Sequence, residues 1–127
     1  MKGLQESLTL YTIGAFGYSA LEILWRGYTH WTMALTGGLC FLSYYYINSA
    51  LSQHSILLRC LMGCVLITAV EFLIGCVVNR GFHLNVWDYS DMPFNVMGQI
   101  CLTYTVLWFL LCIPLTFACD FLQRQLR

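Results

Sequence analysis

A chain of 127 residues that is 59% hydrophobic, 16% aromatic and only 9% charged has too little polar surface for a soluble domain, where about 25% of residues are charged. Its six basic and six acidic side chains cancel, which excludes a basic nucleic-acid binder and a highly charged disordered chain. The length holds one domain, residues 1–127, and the composition makes it a membrane protein.

A helix needs roughly 20 mainly apolar residues to cross the hydrocarbon core, and four stretches meet that length in chain order. The first is Leu4–Trp25. With Lys2 before an apolar run it resembles a signal peptide, but Glu22 interrupts its end and no small-x-small cleavage site follows, so it reads as a retained helix. The short connection Gly27–His30 leads to Trp31–Leu51, and Ser52–Ser55 leads to Ile56–Val78. A longer connection, Gly81–Asn95, precedes the fourth stretch, Val96–Ala118. The expected fold is an all-α bundle of four transmembrane helices. In it Asp91 caps the fourth helix and Pro93 is tolerated in the first turn.

Lys2, Arg59, Arg124 and Arg127 fall on one side of this bundle, and Arg26 and Arg80 on the other. The imbalance predicts a multi-pass protein of the cell membrane, with both termini cytoplasmic and the long loop outside. Tyr44, Tyr45 and Tyr46 at one boundary and Trp25, Trp31 and Trp87 at the other fit interfacial belts. A faint repeat links the halves: Ala20-Leu21-Glu22 with Arg26-Gly27, and Ala69-Val70-Glu71 with Arg80-Gly81. It suggests two parallel helical hairpins.

The two helical glutamates carry the functional argument, because an ionisable group in hydrocarbon is costly and faces the bundle interior, water or a partner. Glu22 stands four residues before Arg26, an intrahelical pair. Glu71 lies about 10 Å below its helix end, too far from Arg80, so its expected partners are Arg26 or a fourth-helix stripe of Asn95, Gln99 and Thr103. Tyr11 and Tyr18 continue the Glu22 face. The candidate ligand-binding set is Glu22, Arg26, Glu71, Arg80, Asn95 and Gln99, beneath a loop carrying Trp87, Asp88, Tyr89 and Ser90. The same polar groups could instead form an interhelical clamp, worth around 0.6–2 kcal/mol per contact.

Cysteines 40, 60, 64, 76, 101, 112 and 119 lie in or beside apolar spans and read as small buried hydrophobes. No Cys/His cluster with zinc spacing is present, and His83, Asp88 and Asp91 form a poor metal set. The sequence calls for no cofactor. Catalysis is the lesser expectation, with no catalytic residue assignable.

The stretch Trp87-Asp88-Tyr89-Ser90-Asp91-Met92-Pro93-Phe94-Asn95-Val96-Met97-Gly98-Gln99-Ile100 resembles the WDYS…P.N..G.I signature of the ABC-transporter type IV (CmpB-like) family. Glu22…Arg26-Gly27 and His30–Phe41 also look like its short bacterial members, so the resemblance spans nearly the whole chain. The family includes bacterial proteins described as ABC transporter permeases and small vertebrate transmembrane proteins. Longer members carry a Gly-Pro-x-x-Pro-Ile-Tyr-Gly stretch after the first helix that this chain lacks. The resemblance implies a membrane transport component. With no Gly-x-x-x-x-Gly-Lys phosphate loop in this chain, partner subunits would have to supply any ATP-driven motor.

Three classes of function follow as expectations. One is a transport component or membrane protein that binds a cation or small solute in a polar cavity in the outer half of the bundle. A dimeric proton-coupled exporter is a version of it. The second is an intramembrane enzyme acting on lipid headgroups through His83, Asp88 and Asp91. The third is a structural partner of another membrane protein. Expected partners are the lipid bilayer, a small solute or lipid, and a second copy or other membrane subunit, but no nucleic acid.

Overall fold

The computed structural model describes residues 2–126. Four long helices follow one another: α1 (Lys2–Arg26), α2 (Trp31–Ala50), α3 (Ile56–Gly75) and α4 (Leu102–Leu126). A π-helical extension, Cys76–Gly81, continues α3.

Local chemistry sets most of these limits. Gly27 adopts the left-handed conformation at φ 88° and returns its N–H to the Ile23 carbonyl, which ends α1. His30 starts α2 in extended backbone, its ring Nδ1 accepting from the Thr32 N–H at 3.2 Å. Ser55 caps α3 by accepting from the Leu58 N–H at 3.3 Å.

The fourth helix departs from expectation. It starts at Leu102, not Val96, and runs on to Leu126. Residues 94, 97 and 98 hold positive φ angles (55°, 56° and 73°), and Val96 pairs with Ile100 in an isolated β-bridge. A right-handed helix cannot pass through such a segment. Asp91 and Pro93 therefore lie in the loop and cap nothing, and Asn95, Gln99 and Thr103 do not form a helical stripe. Within α4, Pro114 lacks the amide that would bond the carbonyl one turn back.

The helices pack as two hairpins, α1 with α2 and α3 with α4, joined mainly through contacts of α2 with α3 and α4. A Cβ on Gly37 would lie 2.5 Å from the Tyr18 Cβ, and one on Gly38 would lie 2.8 Å from the Tyr11 carbonyl oxygen. Only glycine permits that approach of α1 to α2. Leu10, Phe41, Tyr44, Tyr45, Cys60, Cys112 and Cys119 form one core cluster. Met33, Val78, Val86 and Trp87 form a second, beneath the long loop. The backbones of α1 and α4 hardly meet.

Among the described residues, two helices are long and apolar enough to cross a membrane: α3 with its extension (Ile56–Gly81) and α4. Many of their large apolar side chains face outward, including Leu57, Val65, Leu73 and Phe117. The expectation of four spans is thus met in part. Polar residues such as Gln5, Glu6, Ser7 and Glu22 in α1, and three tyrosines with Asn48 in α2, lower the apolarity of the first hairpin.

Candidate functional site

The side chains of greatest chemical interest gather where the gap between α1 and α4 meets the loop. Glu71, on α3, is buried. Its Oε1 accepts the Trp108 indole N–H from α4 at 3.1 Å, and its Oε2 accepts the Tyr89 hydroxyl from the loop at 3.1 Å. Neither expected partner, Arg26 or the Asn95–Gln99–Thr103 stripe, reaches it. The stripe fails because its first two members are loop residues, and Arg26 is held elsewhere.

Glu22 is buried one turn below the end of α1. It accepts from the Thr29 hydroxyl at 2.5 Å and the Tyr18 hydroxyl at 3.3 Å, and lies 3.4 Å from Arg26 Nη2. The expected intrahelical pair therefore forms. Arg26 also donates through Nη1 to the Val86 carbonyl at 3.1 Å, tying α1 to the loop, and lies 4.3 Å from the centroid of the Tyr28 ring.

Aromatic rings connect these acids. Tyr18 and Trp108 face one another across the α1–α4 gap with centroids 6.3 Å apart. Tyr89 stacks on Tyr104 at 4.7 Å and 7°. Trp25 donates to the Tyr104 hydroxyl at 3.2 Å. A cavity of about 230 Å³ opens on the loop side, bordered by Glu22, Trp25, Arg26, Tyr89 and Tyr104. A second, of about 390 Å³, continues along α1 and α4 from Glu71 toward Ala118 and Leu122. Tyr18, Leu21, Met33, Trp108 and Leu111 line both. The pair forms a groove with apolar and aromatic walls and acidic groups at two depths.

The remaining expected site residues build the loop. Buried Trp87 donates its indole N–H to the Gln99 carbonyl at 3.0 Å. Buried Gln99 accepts from Asn79 Nδ2 at 2.8 Å and fits against Gly75, where a Cβ would lie 2.5 Å from its Oε1. Asn95 accepts the Gly98 N–H and donates to the Ser90 and Met92 carbonyls, closing a turn. Asp88 accepts the Ser90 N–H at 2.9 Å, and this bond holds its carboxyl below the usual carboxylate range. Asp88 and Ser90 are exposed, and Arg80 is exposed at the end of the π-helical extension. Burial pushes the Tyr89 hydroxyl well above its ordinary range, with Glu71 adding to the shift. Among the described residues, no three His, Cys, Asp or Glu side chains converge in a metal-holding arrangement.

Sequence reasoning missed Trp108, Tyr104 and Asn79. Trp108 and Tyr104 look like ordinary apolar positions of a buried helix. Asn79 carried a usable signal, a carboxamide within a nearly unbroken apolar run. Its Oδ1 accepts the Val86 N–H at 2.7 Å and the Trp87 N–H at 3.4 Å, which fixes the start of the loop.

Fold and composition together define an all-helical membrane protein in which a folded loop closes one end of two helical hairpins. The family model described as "Putative ABC-transporter type IV" matches residues 9–126, and the chain belongs to that family. No solved structure matches it.

Proposed function

We propose that this protein is a small multi-pass transport component of the cell membrane whose α1–α4 groove binds an amphipathic organic cation. Glu71 carries this reading. It is a buried acid, its two donors are both neutral, it borders the larger of the two groove cavities, and aromatic rings surround it. When ionised, a carboxylate so placed has no counter-ion among its partners, so a ligand cation would balance it, and the faces of Tyr18 and Trp108 would add cation–π attraction. Glu22 already has Arg26 as counter-ion and serves as a polar entrance. The polar cavity expected from sequence becomes a largely apolar groove with acidic points, which suits a lipophilic cation better than a hydrated metal ion. Family membership supports the transport role, and partner subunits or a second copy would supply energy coupling.

The lipid-headgroup enzyme has less support, because Asp88 is engaged in a turn with Ser90 and His83 and Asp91 are exposed. The test of the cation reading is binding of tetraphenylphosphonium to the purified chain in lipid nanodiscs, followed by tryptophan quenching. Saturable binding weakened about tenfold or more in Glu71→Gln, with helical content unchanged, is the expected result. Equal affinity in a folded Glu71→Gln variant would overturn it.

A further inference from the structure

At the opposite end of the bundle, where α2 ends, α3 begins and α4 ends, a second polar group is built from three helices. Asn48 of α2 is fully buried and donates through Nδ2 to Asp120 of α4 at 2.8 Å. Arg59 of α3 donates through Nη1 to Asn48 Oδ1 at 3.2 Å and to Asp120 Oδ2 at 3.5 Å. The Arg59–Asp120 contact is thus long and single, not the two-pronged pairing a guanidinium makes with a committed carboxylate. Arg59 Nε is buried and has no acceptor, so the guanidinium is incompletely engaged by the protein. Beside it opens a pocket of about 460 Å³ lined by Ser52, Arg59, Asp120, Gln123 and Arg124. Two guanidinium groups against one carboxylate leave the lining with a net positive charge. A hydroxyl and a carboxamide add further hydrogen-bonding groups.

The geometry points to a phosphate-binding site in this pocket. Guanidinium groups from two helices, with Ser52 and Gln123 in the same lining, suit an oxyanion that offers several acceptor oxygens. The pocket also lies at the start of α3 and the end of α4, the two helices apolar enough to cross a membrane, so it would face the phosphate level if both span. The site is independent of the α1–α4 groove, so its failure would leave the cation reading untouched.

The test uses the full chain in detergent, titrated with phosphatidylglycerol or phosphatidylcholine and read by native mass spectrometry. A parallel melting experiment uses millimolar inorganic phosphate. One phosphatidylglycerol bound in preference to phosphatidylcholine, about tenfold more weakly in Arg124→Gln, supports the proposal with membrane lipid as the source. A phosphate-dependent rise in melting temperature that Arg124→Gln abolishes, without lipid preference, supports it with a soluble phosphate as the source. The proposal is overturned if neither lipid preference nor a phosphate shift is seen, or if folded Arg124→Gln behaves as the parent does. Arg59→Gln should lose binding as well. Should that variant fail to fold, exposed Arg124 still decides the question.

Discussion

Trp108 on α4 and Glu71 on α3 are joined by an indole N–H to carboxylate hydrogen bond of 3.1 Å, at the point where the two groove cavities meet. Replacing the indole with a ring that cannot donate leaves a buried acid with Tyr89 alone. Trp108→Phe should destabilise the fold by about 1 kcal/mol. In a Glu71→Gln background the same change should cost less, because the two effects share one interaction. Thermal or denaturant melting of the four proteins in one detergent measures the coupling. Strictly additive effects would show that the bond contributes nothing.

Gly75 faces the Gln99 carboxamide and the Trp87 ring, where a Cβ would approach within 2.5 and 2.8 Å. Gly75→Ala should push the loop away from α3 at a cost of about 1–3 kcal/mol. The expected signature is faster proteolysis within residues 82–101, with the helical signal retained.

Asn79 supplies the acceptor for two loop amides and a donor to Gln99. Asn79→Ala should leave those buried groups without partners, costing about 1–3 kcal/mol each in the least favourable case. Hydrogen exchange should quicken at Val86 and Trp87 while the amides in the middle of α4 stay protected. Unchanged exchange at those two residues would remove Asn79 from this role.

Arg26 holds both Glu22 and the Val86 carbonyl. In Arg26→Leu, Glu22 keeps only its two hydroxyl donors. Stability should fall by about 3–5 kcal/mol if the pair is fully desolvated, and less if water reaches it through the cavity. Arg26→Lys should recover part of the loss, which distinguishes charge from packing.

The proposed topology predicts that a thiol reagent confined to the outside of cells labels Ser90→Cys and leaves Gln125→Cys unlabelled until the membrane is opened. The native thiols give a quiet background, since six are buried and Cys76 is half-buried. The reverse labelling pattern would place both termini outside.

Much of this architecture was legible in the residues themselves. Apolar run lengths and the break at Gly27 placed the first three helices within a few residues. The gap between apolar runs marked most of the loop, as Gly81–Asn95, and the i, i+4 spacing paired Glu22 with Arg26. The start of α4 was not legible, because Val96, Met97 and Ile100 continue the apolar composition while adopting turn and bridge geometry. Composition reports what a segment avoids, but only the Asn95 turn and the Gly98 backbone set its path. The partners of Glu71 were hidden for a related reason. They come from different elements, and no spacing rule along one helix connects residues 71, 89 and 108.

The weaker apolarity of the first hairpin has a consequence for how the chain is made. Helices α1 and α2 emerge from the ribosome first, carrying Glu22 and Asn48, whose principal partners Arg26, Arg59 and Asp120 are spread along the chain. Glu22 can be satisfied as soon as α1 forms and Thr29 follows. Asn48 meets its donor Arg59 with α3 and its acceptor Asp120 only with the last helix. Order of synthesis and order of satisfaction therefore differ: Asn48 emerges with α2, but its carboxamide has both partners only once α3 and α4 have followed. A nascent chain stopped before residue 120 would leave the Asn48 amide nitrogen without its Asp120 acceptor, a mark by which quality control could recognise it.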